Sequence, residues 1–335
     1  MSSLTSCSKP EDYTKHRLPD FVIIGAAKSG TTTLHRYLMQ FEQIFVPIQK
    51  ELEFFVRNTY TRSLDWYSSQ FADATNSQLC GEASPSYSFY PQFSETSRRM
   101  HEVIPDARII YIVRHPVDRA FSHYYQRVKS ARYLARRNKD RYQQWSIEEI
   151  ELCQMIQAAE QLGGLAKGAS FEDVIEKANW IIEAGRYHSQ LEQYLRYFDR
   201  DKILVLFFED LVNNHTRMLA KLLRFLGADP AEATKAATVK ANTSAEHSRV
   251  IACDHIIASL RSIPGATSIG NLLPKRVRHL LYSSMEATAY GKDVRRKYDP
   301  PPMLAETRQR LLADYRDSNK WLQEFTGRDL NHWNK

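Results

Sequence analysis

The run Phe21-Val22-Ile23-Ile24, followed at once by Gly25-Ala26-Ala27-Lys28-Ser29-Gly30-Thr31-Thr32-Thr33, constrains this chain more than any other stretch. The first four residues are β-branched or aromatic, the composition of a short buried strand. Glycines and small polar residues then make a tight turn, after which Leu34, Tyr37 and Leu38 recur at helical spacing. Strand, turn and helix in that order bring main-chain N–H groups and the positive end of a helix dipole to one point, which suits a phosphate or a sulfate. An ordinary strand-to-helix turn is the alternative, and the conjunction of Lys28 with three consecutive threonines argues against it.

The rest of the chain alternates in the same way. Ile44 to Val46, Ala107 to Val113 and Ile203 to Phe208 read as further strands, and a helix from about Thr216 to Phe225 closes at Gly227. The near-continuous apolar run of 107–113 suits a parallel strand covered on both faces. The expectation is an α/β fold with a central, mostly parallel β-sheet flanked by helices, with ligands bound beyond the carboxyl ends of the strands. Between the last two strands lies a long helical region, basic from Arg127 to Arg141 and acidic from Ser146 to Glu160. A second basic helical stretch runs from about Val250 to Arg295-Arg296-Lys297, ahead of Pro300-Pro301-Pro302. With no internal repeat and no low-complexity linker, the chain reads as an N-terminal segment 1–19 and a single domain 20–335 with helical insertions at about 127–184 and 245–297.

The loop is close to the triphosphate-binding pattern GxxxxGK[ST] but departs from it where charge matters. Gly25, Gly30 and Thr32 fit, whereas Thr31 stands at the lysine position and the lysine is Lys28. At the end of the 107–113 strand, where a magnesium-holding carboxylate would be expected, the chain has Arg114. A metal-free, multiply anionic nucleotide is implied. The 46 Lys and Arg against 39 Asp and Glu, a net charge of +7, favour an anionic ligand. Cys7, Cys80, Cys153 and Cys253 form no CxxC pair, and His35, His101, His123 and His188 have no metal-ligand spacing, so no metal site is expected and a reducing cytoplasm fits. No apolar run is long enough to span a membrane, and Met1 to Arg17 has no apolar signal core.

Several separate motifs together resemble the sulfotransferases that use 3′-phosphoadenosine 5′-phosphosulfate (PAPS). Ala27 to Thr32 is similar to that family's 5′-phosphosulfate loop, and Tyr111-Ile112-Val113-Arg114-His115-Pro116-Val117-Asp118-Arg119-Ala120-Phe121-Ser122 to its 3′-phosphate motif. Gly185-Arg186-Tyr187, Phe208-Glu209-Asp210-Leu211 and a tail from the proline run to Gly327-Arg328-Asp329-Leu330 and Trp333 extend the resemblance over most of residues 20–333. Lys50-Glu51-Leu52-Glu53-Phe54-Phe55 resembles the Lys-Glu-Pro-His-Phe-Phe element of the branch that includes heparan sulfate and many bacterial sulfotransferases, departing at Leu52 and Glu53. Gly81-Glu82-Ala83-Ser84-Pro85-Ser86-Tyr87 resembles a Glu-Lys-Thr-Pro-Ala-Tyr element, with Ala83 in place of the lysine.

The resemblance implies a P-loop-like sulfotransferase fold and a distribution of roles. Lys28 stabilises the phosphosulfate, with Ser29, Gly30, Thr31 and Thr32 beside it; Arg114 and Ser122 hold the 3′-phosphate, joined by a basic loop at Arg295, Arg296 and Lys297. Glu51 is the general base, with Glu53 and Glu82 as rival carboxylates. Glu53, Phe54, Phe55, Glu82, Ser84 and Tyr87 fall on the substrate side, Tyr87 being equally suited to core packing. The implied reaction moves a sulfuryl group from PAPS to a hydroxyl or amine of a carbohydrate or small-metabolite acceptor, leaving 3′-phosphoadenosine 5′-phosphate, with no metal and no nucleic-acid partner. A P-loop small-molecule kinase and a non-catalytic protein binding anionic ligands or nucleic acid are the rival readings.

Overall fold

A computed structural model describes residues 16–56, 62–137, 170–238 and 302–335. The chain divides into two compact units: Met1–Pro116 with Glu183–Lys240 and Tyr315–Lys335, and Val117–Ile182 with Ala241–Asp314. The first holds five strands, β1 (Phe21–Gly25), β2 (Ile44–Phe45), β3 (Leu79–Ala83), β4 (Arg108–Val113) and β5 (Ile203–Phe207). The helices, in chain order, are α1 (Thr31–Leu38), α2 (Leu64–Ser69), α3 (Thr96–Val103), α4 (Pro116–Arg137), α5 (Phe171–Lys177), α6 (Trp180–Glu183), α7 (Tyr187–Leu195), α8 (Phe208–Asn213), α9 (His215–Leu226) and α10 (Ala305–Thr326).

The strands lie in the order β2-β3-β1-β4-β5, and each pairing is parallel. β1 and β5 are buried along their whole length, which their continuous apolar sequence requires, because alternate residues serve opposite faces. Val22, Ile24, Tyr111, Val113 and Val205 pack into one core with the aromatic rings of Phe55, Tyr67 and Trp333. Phe21, Ile23, Ile110, Ile112, Leu204 and Leu206 pack on the other face against Leu34 and Leu38 of α1 and Leu219, Leu222 and Leu226 of α9. Helix α9 starts where the Asn214 side chain accepts from the Arg217 amide at 3.2 Å, and it ends at Gly227.

Strand β3 is absent from the sequence expectation. Leu-Cys-Gly-Glu-Ala has little apolar or β-branched signal. Its central Gly81 is there because the Phe21 ring lies over it: a Cβ at that position would sit 2.1 Å from Phe21 Cζ. Phe208, read from sequence as a strand residue, instead opens α8. In the second unit, α5 begins with a capping box in which Ser170 and Asp173 bond each other's amides. The fully buried Arg119 bonds the Ile181 carbonyl and His123 Nδ1, a structural placement for a residue within the 3′-phosphate-like motif. The acidic stretch 146–160, the whole of the basic segment 250–297, residues 138–141 of the basic stretch 127–141 and the N-terminal residues 1–15 lie outside the described residues.

Candidate active site

Because β1, β3 and β4 are adjacent and parallel, the segments leaving their carboxyl ends gather at one edge of the sheet. From β1 comes the loop Ala26–Gly30, from β3 the segment Ser84–Ser88, and from β4 Arg114. The segment Lys50–Glu53 joins them through the Glu51 amide, which donates to the Ala83 carbonyl at 3.1 Å.

The loop is built to leave donors unpaired. Gly30, at φ 93°, turns the chain into α1, and a Cβ there would lie 2.6 Å from Leu211 Cδ2. No side chain caps α1, so its first amides have no acceptor within the helix. The Ser29 hydroxyl is fully buried and has no hydrogen-bond partner among the described residues. Such an orphaned donor beside free helix amides fits a bound phosphate or sulfate oxygen. Thr31 is buried, Thr32 half-buried, and the half-buried Lys28 sits at φ 71°. The Arg114 side chain donates to the Lys28 carbonyl at 3.3 Å, its guanidinium lies 4.8 Å from the centre of the Phe208 ring, and Tyr187 bonds both its amide and its carbonyl. Loop and arginine therefore form one cationic edge.

Among the described residues, the non-glycine positions with positive φ are Lys28, Glu51 and Glu53, all three singled out from sequence. Side chains in that region cost about 1–3 kcal/mol each and persist only where the surroundings enforce them. Glu51 is half-exposed and pairs at 2.7 Å with Lys50, whose side chain is largely buried. Glu53 is held from behind, its amide donating to Ser84 Oγ at 3.1 Å.

That serine belongs to a buried network centred on Glu82. Ser84 donates to Glu82 Oε2 at 2.7 Å, and Tyr67 and Tyr87 donate to Oε1 at 2.7 and 2.8 Å. Burial pushes the Glu82 carboxyl above the usual carboxylate range, against the opposing effect of those three hydroxyls and Lys50. Burial and the neighbouring carboxylate push the Tyr67 and Tyr87 phenols well above their ordinary value, so they remain donors. Phe54 and Phe55 are also buried, Phe54 stacked on Tyr67 with centroids 4.2 Å apart. Glu82, Ser84, Tyr87, Phe54 and Phe55 thus stand behind the Lys50–Glu53 segment, with their polar atoms directed at one another. Tyr67 carries no sequence signal beyond its type, because its part depends on a strand pairing the sequence does not announce.

The carboxylates at the end of β5 are engaged by the C-terminal tail: Arg328 makes a two-pronged ion pair with Asp210, and Trp333 donates to Glu209 at 3.2 Å. Ser122 lies on α4 in the second unit, half-buried. Arg295, Arg296 and Lys297 lie outside the described residues, as do Cys7, Cys153 and Cys253, while Cys80 is a buried free thiol. No helix among the described residues is long and apolar enough to cross a membrane.

A parallel sheet with a loop-to-helix oxyanion cradle at one strand end and an arginine at the next defines an α/β protein of the P-loop-like class. Within that class the chain belongs to the sulfotransferase family, whose domain model, described as "Sulfotransferase domain", matches residues 18–261. It is 30% identical over 227 residues to the bifunctional heparan sulfate N-deacetylase/N-sulfotransferase 3 of Homo sapiens, covering 66% of this chain and 23% of that protein. It is 29% identical to the human heparan sulfate glucosamine 3-O-sulfotransferase 6, covering 64% and 53%. A 34% identity to the membrane-associated sulfotransferase kil1 of Dictyostelium discoideum covers 40% of this chain and 27% of that one. The matched segments thus span from about a quarter to about half of these relatives' own lengths. The fold is also that of a solved sulfotransferase from Alicyclobacillus acidocaldarius, with a TM-score of 0.55 at 22% identity, covering 95% of this chain and 99% of that one.

Proposed function

We propose that this chain transfers the sulfuryl group of PAPS to a hydroxyl or amine of a carbohydrate or small-metabolite acceptor. The observation that carries the reading is the Gly25–Thr32 loop, with its buried unpartnered Ser29 hydroxyl and unpaired helix amides, tied through the Lys28 carbonyl to Arg114. When bound, PAPS supplies a sulfuryl group on a phosphate leaving group. Lys28 and the loop donors hold the 5′ side and neutralise charge as it develops there. Arg114 offers its planar fork to the 3′-phosphate. Glu51 takes the acceptor's proton, and its half-exposed carboxylate leaves it open to a substrate. The Glu82 network keeps the Lys50–Glu53 segment in its left-handed conformation, which gives Glu82, Ser84 and Tyr87 a positioning role on the substrate side. A carbohydrate acceptor is favoured by the likeness to two human heparan sulfate sulfotransferases. A reducing, cytoplasmic setting remains part of the proposal, on the cysteine spacing alone.

The test is calorimetric titration with 3′-phosphoadenosine 5′-phosphate, with ADP plus Mg²⁺ and AMP as controls. Selective, metal-independent binding of the 3′,5′-bisphosphate is expected. Binding of Mg-ADP with no response to the bisphosphate would replace this reading with the kinase one.

A further inference from the structure

Helix α9 carries two unlike flanks. Met218, Leu219, Leu222, Leu223 and Leu226 are buried against the sheet. Arg217, Lys221 and Arg224 recur at intervals of four and three residues and so form one stripe along the helix. The three side chains are exposed, as on a solvated face, and together they line a cavity of about 530 Å³. Met218 and Leu206, from edge strand β5, line it with apolar surface, and Asp210, Asn214 and Arg328 complete it.

The charge in this cavity is unbalanced. Four cationic side chains meet a single carboxylate, Asp210, which Arg328 already grips with both nitrogens of its fork. Lys221 is exposed, yet its ammonium pKa is held below its ordinary value, chiefly by partial desolvation, with Arg328 and Arg200 adding repulsion and Asp210 opposing it. A volume of this size suits a small ligand, and guanidinium groups suit oxyanions. The cavity is also distinct from the phosphate loop. Helix α8 stands between the two: Phe208 and Leu211 pack at Gly30, while Asp210 lines the cavity.

We propose that this cavity is a second anion site, binding a multiply charged oxyanion of the phosphate- or sulfate-ester class, up to the size of a sugar or a nucleotide. Such a ligand would neutralise the repulsion among Arg217, Lys221, Arg224 and Arg328. Phosphate compounds and sulfated sugars share this chemistry, and the experiment separates them.

The full chain carrying Lys28→Ala, which removes the loop's cation, would be titrated calorimetrically with inorganic pyrophosphate and, separately, with a disulfated disaccharide. Binding of at least one probe is expected to survive Lys28→Ala. Adding Arg217→Ala and Lys221→Ala should weaken it by about tenfold or more, whereas Lys221→Arg should preserve it. Response to pyrophosphate alone would assign the site to phosphates, and response to the disaccharide alone to sulfated sugars. Should the combined variant lose its cooperative thermal transition, Arg224→Ser provides the second reading, with about threefold weakening expected. Failure of both probes to bind the wild-type chain, loss of all binding in Lys28→Ala, or unchanged affinity in the folded stripe variants would overturn the proposal.

Discussion

The phosphate loop and the Glu82 network lie at the ends of neighbouring strands, and they treat polar groups in opposite ways. The loop leaves a buried hydroxyl and a set of helix amides without partners. The network brings three hydroxyls onto one buried carboxylate and bonds each at 2.7–2.8 Å. An unsatisfied buried donor costs free energy that a bound anion can return, whereas a saturated network gains nothing from a ligand and instead fixes geometry. Under the proposed function, the difference separates residues that hold a ligand from residues that hold those residues.

The comparison breaks first at Glu51, which stands on the strained segment bonded to the end of β3. Glu51→Gln should lower kcat by about 10²–10⁴-fold while leaving calorimetric affinity for 3′-phosphoadenosine 5′-phosphate nearly unchanged. Wild-type turnover in that variant would remove the base assignment. Lys28→Ala should lower kcat/KM for PAPS by about 10²–10³-fold, because it removes charge stabilisation from the loop itself. A normal rate would mean that the loop amides suffice.

Arg114→Ala should weaken the 3′,5′-bisphosphate by about ten- to a hundredfold, the worth of a charge-assisted pair of hydrogen bonds, and should affect AMP far less. Equal losses for the two nucleotides would contradict a 3′-phosphate role. The smallest effects are expected in the network, and they concern stability. Tyr67→Phe should cost about 1–3 kcal/mol in chemical denaturation, since it deletes one donor to a buried carboxylate.

The folded state raises the Glu82 pKa, chiefly through burial, so it binds this proton more tightly than the unfolded chain does. The stability contributed is therefore full below the ordinary glutamate value and is lost as pH rises through the folded one. Glu82→Gln should flatten that slope in denaturation midpoints measured across pH. An unchanged slope would show that Glu82 is not the group responsible.

Much of the Gly25–Thr32 loop was legible in the sequence, because it is local. A strand, a turn and the first residues of a helix are contiguous, and their amides converge through backbone geometry alone. Arg114 could be read for a similar reason, since it directly follows an unmistakable apolar strand. The Glu82 segment was less legible. Glu82, Ser84 and Tyr87 fall on the substrate side through the resemblance alone, with Tyr87 equally suited to core packing, and the structure bonds their polar atoms to one another and to a tyrosine fifteen positions upstream of Glu82.

By itself the sequence determined the class of fold, through periodicity, and the glycine-rich strand-to-helix loop and the family resemblance, through motifs of residues adjacent in the chain. Only the tertiary structure decided that Gly81 lies in a strand under Phe21, that Phe208 lies beneath Arg114, and that Asp210 is bound by Arg328 more than a hundred residues away. Those contacts arise from strand order and from helix packing on the sheet. Pairing across the sheet joins distant segments through van der Waals fit and hydrogen bonds that leave no local pattern in the chain.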